Sequence, residues 1–147
     1  MALVDIERLV NRIKLNELFS PISYFDVSRW SWGFGTLAPG PRCLISEDKA
    51  EEELRKSVQE ALSFLPRVFP LFDGFDAVRA ECLADMAYNL GEPRLKKFKK
   101  MIRAINRIPP DWLEASYQAQ ESEWFRQVGD RSKRIVRELT TGEQEGA

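Results

Sequence analysis

Helical periodicity runs along most of this chain and breaks at one place, between about residues 17 and 45. On both sides of that segment, apolar residues recur at three- and four-residue spacing, as on the buried face of an amphipathic helix. Inside it, aromatic and β-branched residues mix with Gly, Pro and Ser, which favours a small hairpin or meander. The pattern predicts an α+β chain with one small sheet near its start.

The helices can be bounded from their capping residues and breakers. We expect the first helix over residues 5 to about 16 and a long helix over 47–65, with Ser46 as its N-cap and Pro66 as its end. Asp76 should begin a buried helix that ends at Gly91. Three more helices are predicted after that: about 98–105, 109–127 and 131–139.

These elements predict one domain over residues 1–142. We expect a β-rich lobe at about 17–45 and a helical lobe at about 66–142, joined by helix 47–65. The tail over 143–147 should be disordered, because it is short, polar and terminal.

The residue types exclude several kinds of chemistry. The chain has no histidine, and its two cysteines, Cys43 and Cys82, are far apart. We therefore expect no zinc or copper site and no Ser-His or Cys-His nucleophile. Any catalysis must rest on carboxylates, Lys, Tyr or backbone groups, and the sequence calls for no metal or organic cofactor.

Charge and hydropathy limit the partners. The net charge of −1 provides no global attraction to nucleic acid. A local basic stretch, residues 94–107, carries seven Lys or Arg and no acid; it is a solvated helix face, or it attracts an anionic wall or nucleic acid. No apolar run approaches the roughly 20 residues that span a bilayer. The charged N-terminus is unlike a signal peptide, so we expect folding in the cytosol and no membrane insertion.

The segment 16–36, NELFSPISYFDVSRWSWGFGT, carries two carboxylates among aromatic and turn residues. The segment is either a hairpin of the protein core in which the acids have no function, or one wall of a cleft that holds Glu17 and Asp26 over a substrate. Glu17 should end the first helix, where the macrodipole and apolar neighbours favour the neutral acid. Asp26, on an open strand, should stay charged. Such a pair of carboxyls is typical of glycoside hydrolysis.

In order and spacing, this segment resembles the catalytic stretch of the phage-type lysozymes (endolysins) of glycoside hydrolase family 24. That stretch runs from Glu through Tyr and Asp to Thr or Ser and then Gly-aromatic-Gly, and DVSRWSWGFGT is similar to one of its variants. LISEDKAEEEL, FDAVRAECLADMAYNLG and SEWFRQVGDRSKRIVRELTTG resemble the family's later segments. The resemblance implies a lysozyme-like fold.

It also implies roles for individual residues. Glu17 matches the general acid, Asp26 the carboxylate that activates or orients water, and Ser31 the hydroxyl that holds this water. Arg131 matches an Arg that pairs with the catalytic Glu. The substrate-binding aromatic-amide pair of the family corresponds to Tyr88 and Asn89, with Trp124 packed behind it.

Three departures from the family pattern stand out. Leu18 follows the acid where the family usually has Gly, so the backbone there is expected to turn differently. Thr36 stands in place of a His, which removes an ion pair. The overall charge is slightly acidic, although many wall-lytic enzymes are basic.

The resemblance implies a muramidase that hydrolyses the β-1,4 bond between N-acetylmuramic acid and N-acetylglucosamine of bacterial peptidoglycan with inversion, and we expect it to be a monomer. Inversion requires carboxyl groups about 6.5 to 9.5 Å apart. We expect an endolysin that waits in the host cytoplasm and reaches the periplasm and cell wall through a holin-like pore. The alternatives are a tail-associated or low-activity peptidoglycan-binding relative and a nucleic-acid-binding helical protein that uses residues 94–107.

Overall fold

The computed structural model describes residues 4–26 and 28–145. The helices in this part of the chain are α1 (Ile6–Glu17), α2 (Glu47–Val68), α3 (Ala77–Leu95), α4 (Lys99–Ile105), α5 (Trp112–Gln120), α6 (Glu123–Val128) and α7 (Asp130–Thr141). Its strands are β1 (Ser20–Asp26), β2 (Arg29–Gly33) and β3 (Thr36–Leu37). The predicted α+β class is confirmed, because a small antiparallel sheet precedes a long helix and a mainly helical part. No helix in the described ranges is both long and apolar enough to cross a membrane.

The chain divides into two compact units inside α2. The first unit, Ile6–Glu60, holds α1, the sheet and most of α2; we call it the sheet unit. The second comprises the described residues from Ala61 onward together with Val4 and Asp5; we call it the helical unit. The single domain predicted over 1–142 stays a prediction.

In the sheet unit, the apolar stripes predicted from the sequence are buried. Leu9, Val10 and Ile13 of α1 and Leu54 and Val58 of α2 have no exposed surface. Ser46 caps α2 as predicted, since its hydroxyl accepts the amide of Lys49 at 3.2 Å. These residues form the core on which the sheet is built.

The sheet has the strand order β1-β2-β3, with each neighbouring pair antiparallel. In the β1–β2 ladder, Tyr24 lies opposite Ser31 and Asp26 lies opposite Arg29. Directly opposed residues share a face of a sheet, as do residues two apart along a strand. These four side chains therefore share one face.

In the helical unit, α3 is the central helix that its wide apolar face predicts. Every residue from Ala80 to Ala87 is buried. The carboxylate of Asp76 accepts the amide of Arg79 at 3.0 Å, which confirms the predicted N-cap. Gly142, in the left-handed conformation, closes α7 through a bond from its amide to the carbonyl of Glu138.

Two predicted helix limits are wrong. Pro66 does not end the long helix, which continues to Val68, because a proline in the last turn removes only one backbone hydrogen bond. Gly91 does interrupt the helix at the predicted place, with φ of 76°, and helical turns resume after it as far as Leu95. The helix predicted over 109–127 is two helices, because Ser122 caps a new one with a bond from the amide of Phe125.

The tail predicted to be disordered makes contacts as far as it is described. The side-chain amide of Gln144 donates to the carboxylate of Glu138 at 2.9 Å and to that of Glu81 at 3.2 Å. Residues 146–147 lie outside the described residues, and the disorder of the tail stays a prediction.

Ion pairs connect α1 and α2 in the sheet unit. Arg55 donates to both carboxylate oxygens of Glu7, at 2.6 and 2.9 Å, and Lys14 pairs with Glu51. The hydrogen bond from Arg55 holds the pKa of Glu7 below its ordinary value, and the bonds from Lys14 and Arg55 do the same for Glu51. The attraction is therefore present when the pH is above the carboxyl pKa of the unfolded chain, and it is lost in acid.

We expect Arg55→Gln to lower the melting temperature by about 2 °C at neutral pH and to have almost no effect near pH 2. The difference should begin to shrink as the pH falls below about 4.3, the ordinary value for Glu. Thermal unfolding followed by circular dichroism measures it, with Lys56→Gln, another exposed cation of α2, as the control. A difference that is the same at both pH values would contradict the ion-pair origin.

Candidate active site

Glu17 is the last residue of α1, as the sequence predicts. The chain leaves the helix through Leu18, which has φ of 57°, and the Leu18 amide donates to the carbonyl of Lys14 at 2.9 Å. This is a left-handed helix cap, a conformation that glycine adopts most readily. Leu18 thus adopts a backbone conformation typical of glycine, at the position where the family that this segment resembles usually has Gly.

The Gly-Phe-Gly step lies directly against the carboxylate of Glu17. Gly35 has φ of 87°, and a Cβ on it would lie 2.7 Å from Oε2 of Glu17. Gly33 is also in the left-handed region, and its Cβ would lie 2.9 Å from that of Ala50 on α2. Both glycines are therefore required by close approach as well as by backbone conformation. The first brings the turn onto the acid and the second brings β2 onto α2.

Tyr24 connects the two carboxylates electrostatically. Partial burial raises the pKa of its phenol, and the negative charges of Glu17 and Asp26 raise it further, while Arg29 opposes them. One phenol therefore senses both acids that the sequence predicts to be catalytic. Asp26 itself is exposed at the end of β1, open to solvent.

Ser31 is buried with a hydroxyl that lacks a partner. Its relative exposure is 1%, and within residues 4–26 and 28–145 its Oγ has no hydrogen-bond partner. A buried hydroxyl without a partner is unfavourable by about 1 to 3 kcal/mol. Ser31 shares a sheet face with Tyr24 and Asp26, so this hydroxyl lies on the side of the sheet that carries the second predicted acid.

The opposite face of the sheet is structural. Trp30 packs edge-on against Phe25 with ring centroids 5.5 Å apart. Trp32 and Thr36 both donate to the same carboxylate oxygen of Glu53, at 2.9 and 2.8 Å. Thr36, which replaces the family's His, thus contributes a neutral hydrogen bond to α2.

The other predicted site residues belong to the helical unit. Asn89 accepts the indole N–H of Trp124 at 2.8 Å, so Trp124 contacts the amide of the predicted aromatic-amide pair. Tyr88, the preceding residue of α3, is half-buried. Arg131 donates to Asp85 through Nε at 3.1 Å and Nη2 at 2.6 Å. The pairing of Arg131 with Glu17 stays a prediction.

The sequence did not predict three features of the two units that hold the candidate site residues: Asp85, Arg29 and the contact of Gly35 with Glu17. Asp85 has no exposed surface. The sequence could have predicted this burial, because an acid within an otherwise apolar helix segment such as CLADMA needs a buried partner. The positions of Arg29 and Gly35 depend on strand register and turn geometry, which the residue pattern does not specify.

The helical unit also contains a cavity of about 570 Å³ beside the predicted basic stretch. Phe98 and Trp124, packed edge-on at 5.9 Å, are among its lining residues. Its charged lining residues are Arg94, Lys97, Lys99, Lys100, Glu121 and Glu123. Four cations and two acids give this lining a net positive charge, so part of the basic stretch faces a concave surface.

No model of a known protein family matches the chain. Two curated proteins of Dictyostelium discoideum are similar to it. "Probable T4-type lysozyme 2" is 27% identical over 101 residues, 67% of this chain and 58% of that protein. "Probable T4-type lysozyme 1" is 22% identical over 102 residues, 67% of this chain and 59% of that protein.

The chain is similar to T4-type lysozymes. The predicted resemblance is thereby supported at the level of a T4-lysozyme-like family, and the predicted lysozyme-like fold is confirmed. The matching part spans less than two thirds of the length of both relatives. An origin in a phage stays a prediction.

We expect Gly35→Ala to lower the free energy of unfolding by about 1 to 2 kcal/mol, because an L-residue is strained there and its methyl group meets Glu17. Gly40→Ala, where no atom lies within 4 Å of the new Cβ, is the matched control and should change little. Urea unfolding measures both. In a Glu17→Ala background the loss should shrink; an unchanged loss would contradict the contact.

We expect Asp85→Asn to lower the free energy of unfolding by about 3 kcal/mol, because the substitution leaves the Arg131 guanidinium without its buried anion. The exposed Asp130→Asn is the control and should change it by less than about 0.5 kcal/mol. A double-mutant cycle with Arg131→Met measures the coupling. Additive losses would show that the pair does not act as a unit.

Proposed function

We propose that this protein is a muramidase, a glycoside hydrolase that cleaves the β-1,4 bond between N-acetylmuramic acid and N-acetylglucosamine in bacterial peptidoglycan. One observation carries the proposal: an acid at a helix end, a second carboxylate and an unpartnered buried hydroxyl are grouped around Tyr24 on one sheet unit. The similarity to proteins named T4-type lysozymes supports it.

In the proposed reaction, Glu17 donates its proton to the glycosidic oxygen as the bond from that oxygen to the anomeric carbon breaks. A water molecule attacks the anomeric carbon from the opposite side, and Asp26 orients it or accepts its proton. Ser31 holds that water through the hydroxyl that lacks a protein partner in the described residues. A single displacement of this kind inverts the configuration at the anomeric carbon.

The immediate neighbours of Glu17 suit this role. The backbone of Gly35 lies against the carboxylate and restricts its movement, so the proton donor is held in one region. Tyr88, Asn89 and Arg131 are proposed to contact the sugar chain. The charged lining of the cavity beside Trp124 complements a substrate whose peptide carboxylates are anionic.

The biological setting is also proposed by resemblance. We infer an endolysin that serves host cell lysis as a monomer: it accumulates in the host cytoplasm and reaches the wall when a holin-like pore opens. The second candidate is a peptidoglycan-binding relative with low turnover. The basic cavity with its aromatic pair favours this candidate, because such a surface could bind the wall without any contribution from a catalytic acid.

We expect Glu17→Gln to reduce the hydrolysis rate at least about a hundredfold, because removal of a general acid forfeits about 10² to 10⁴ in rate. The measurement is the loss of turbidity of outer-membrane-stripped cells, together with release of soluble muropeptides from purified sacculi. Glu52→Gln, an exposed acid on α2, is the isosteric control and should act like wild type.

The outcomes separate the two candidates. If the protein is a hydrolase, the wild type releases muropeptides, whereas the Glu17→Gln variant binds sacculi and releases none. If it is a binder, both forms sediment with sacculi and neither releases muropeptides. Equal clearing by wild type and Glu17→Gln would remove Glu17 from the acid role. The anomer formed first, read by proton NMR, tests inversion separately.

A further inference from the structure

The face of the sheet that carries the proposed catalytic residues holds one more charged residue with no assigned role. Arg29 begins β2 and lies directly opposite Asp26 in the ladder. It precedes Ser31 by two residues, so the two side chains point to the same face. Arg29 is exposed, yet its side chain is fixed at one end by a hydrogen bond.

That bond joins Arg29 to the turn that lies on the acid. Nη2 of Arg29 donates to the carbonyl oxygen of Gly35 at 3.0 Å. On its other side, Gly35 approaches Glu17 so closely that a Cβ would lie 2.7 Å from Oε2. The guanidinium therefore links the residue opposite Asp26 to the residue in contact with Glu17, through one side chain.

Arg29 also contributes charge to the same space. The phenol of Tyr24 senses Arg29 together with both carboxylates, and Arg29 acts on it in the opposite direction. Two other cations of this unit are engaged elsewhere: Lys14 pairs with Glu51 and Arg55 pairs with Glu7. Glu53, one of the acids on α2, accepts bonds from residues of the opposite sheet face.

We propose that Arg29 is a positioning residue of the hydrolytic site, which fixes the Gly35 turn against Glu17 and keeps a positive charge beside Asp26. This inference rests on the proposed muramidase activity and adds a residue that acts through the acids without touching the substrate bond. Arginine suits both tasks, because its planar fork fixes a carbonyl while its charge never titrates. Lysine would keep the charge and lose the fixed geometry.

The test compares Arg29→Gln and Arg29→Lys with wild type, with Lys56→Gln as a control that removes one exposed cation from α2. The value of kcat/KM for a soluble peptidoglycan fragment is measured from about pH 4 to about pH 9 at constant ionic strength. Thermal unfolding of each variant is recorded alongside. The groups whose charges face the site and enter the profile are Glu17, Tyr24 and Asp26.

We expect Arg29→Gln to lower kcat/KM about tenfold at neutral pH, since a hydrogen bond from a charged group is lost. Its acidic limb should move to higher pH, because the variant removes a positive charge from the space that Tyr24 shares with both carboxylates. Arg29→Lys should keep the acidic limb of wild type and recover only part of the rate. Lys56→Gln should match wild type in both.

An acidic limb of Arg29→Gln that coincides with that of wild type overturns the proposal, whatever its rate. Equal kcat/KM values for Arg29→Lys and wild type overturn the inference that Arg29 fixes the Gly35 turn against Glu17. If wild type itself releases no muropeptides, the muramidase proposal fails first, and the two failures are thereby distinguished.

Discussion

The close contact between the backbone of Gly35 and the carboxylate of Glu17 is the constraint on which the sheet unit depends. It requires a helix that ends at the acid, a left-handed exit through Leu18 and a hairpin whose turn has no side chain. The second glycine, Gly33, seats the same hairpin on α2. A short polypeptide segment thereby brings an acid, a second carboxylate and a hydroxyl into one small region, in a chain that has no histidine.

Much of this arrangement is predictable from the residues, because burial and capping act locally. The stripe of α1, the cap at Ser46 and the buried face of α3 follow directly from spacing and residue type. Position alone also put Glu17 at a helix end. Asp26 and Ser31 became members of one face only when the strand register was known, since a shift of one residue would turn one of them away.

The features that escaped prediction depend on context that a sequence pattern lacks. Leu18 adopts a conformation that its side chain disfavours, and tertiary packing overrides that preference. Ser122 begins a new helix inside a segment whose periodicity reads as continuous. Asp85 is unusual as an acid inside an apolar helix segment, and the sequence shows that much. Its partner Arg131 lies 46 residues away along the chain, and only the fold brings the two together.

The attachment of the hairpin to α2 has a consequence for how the sheet unit responds to pH. Its donors to Glu53 are an indole N–H and a threonine hydroxyl, and neither loses its proton in the pH range where proteins stay folded. An imidazole at the same place would change charge near pH 6.5. With Thr36 there, the donors of this anchor keep the same charge through the pH range in which an imidazole would titrate.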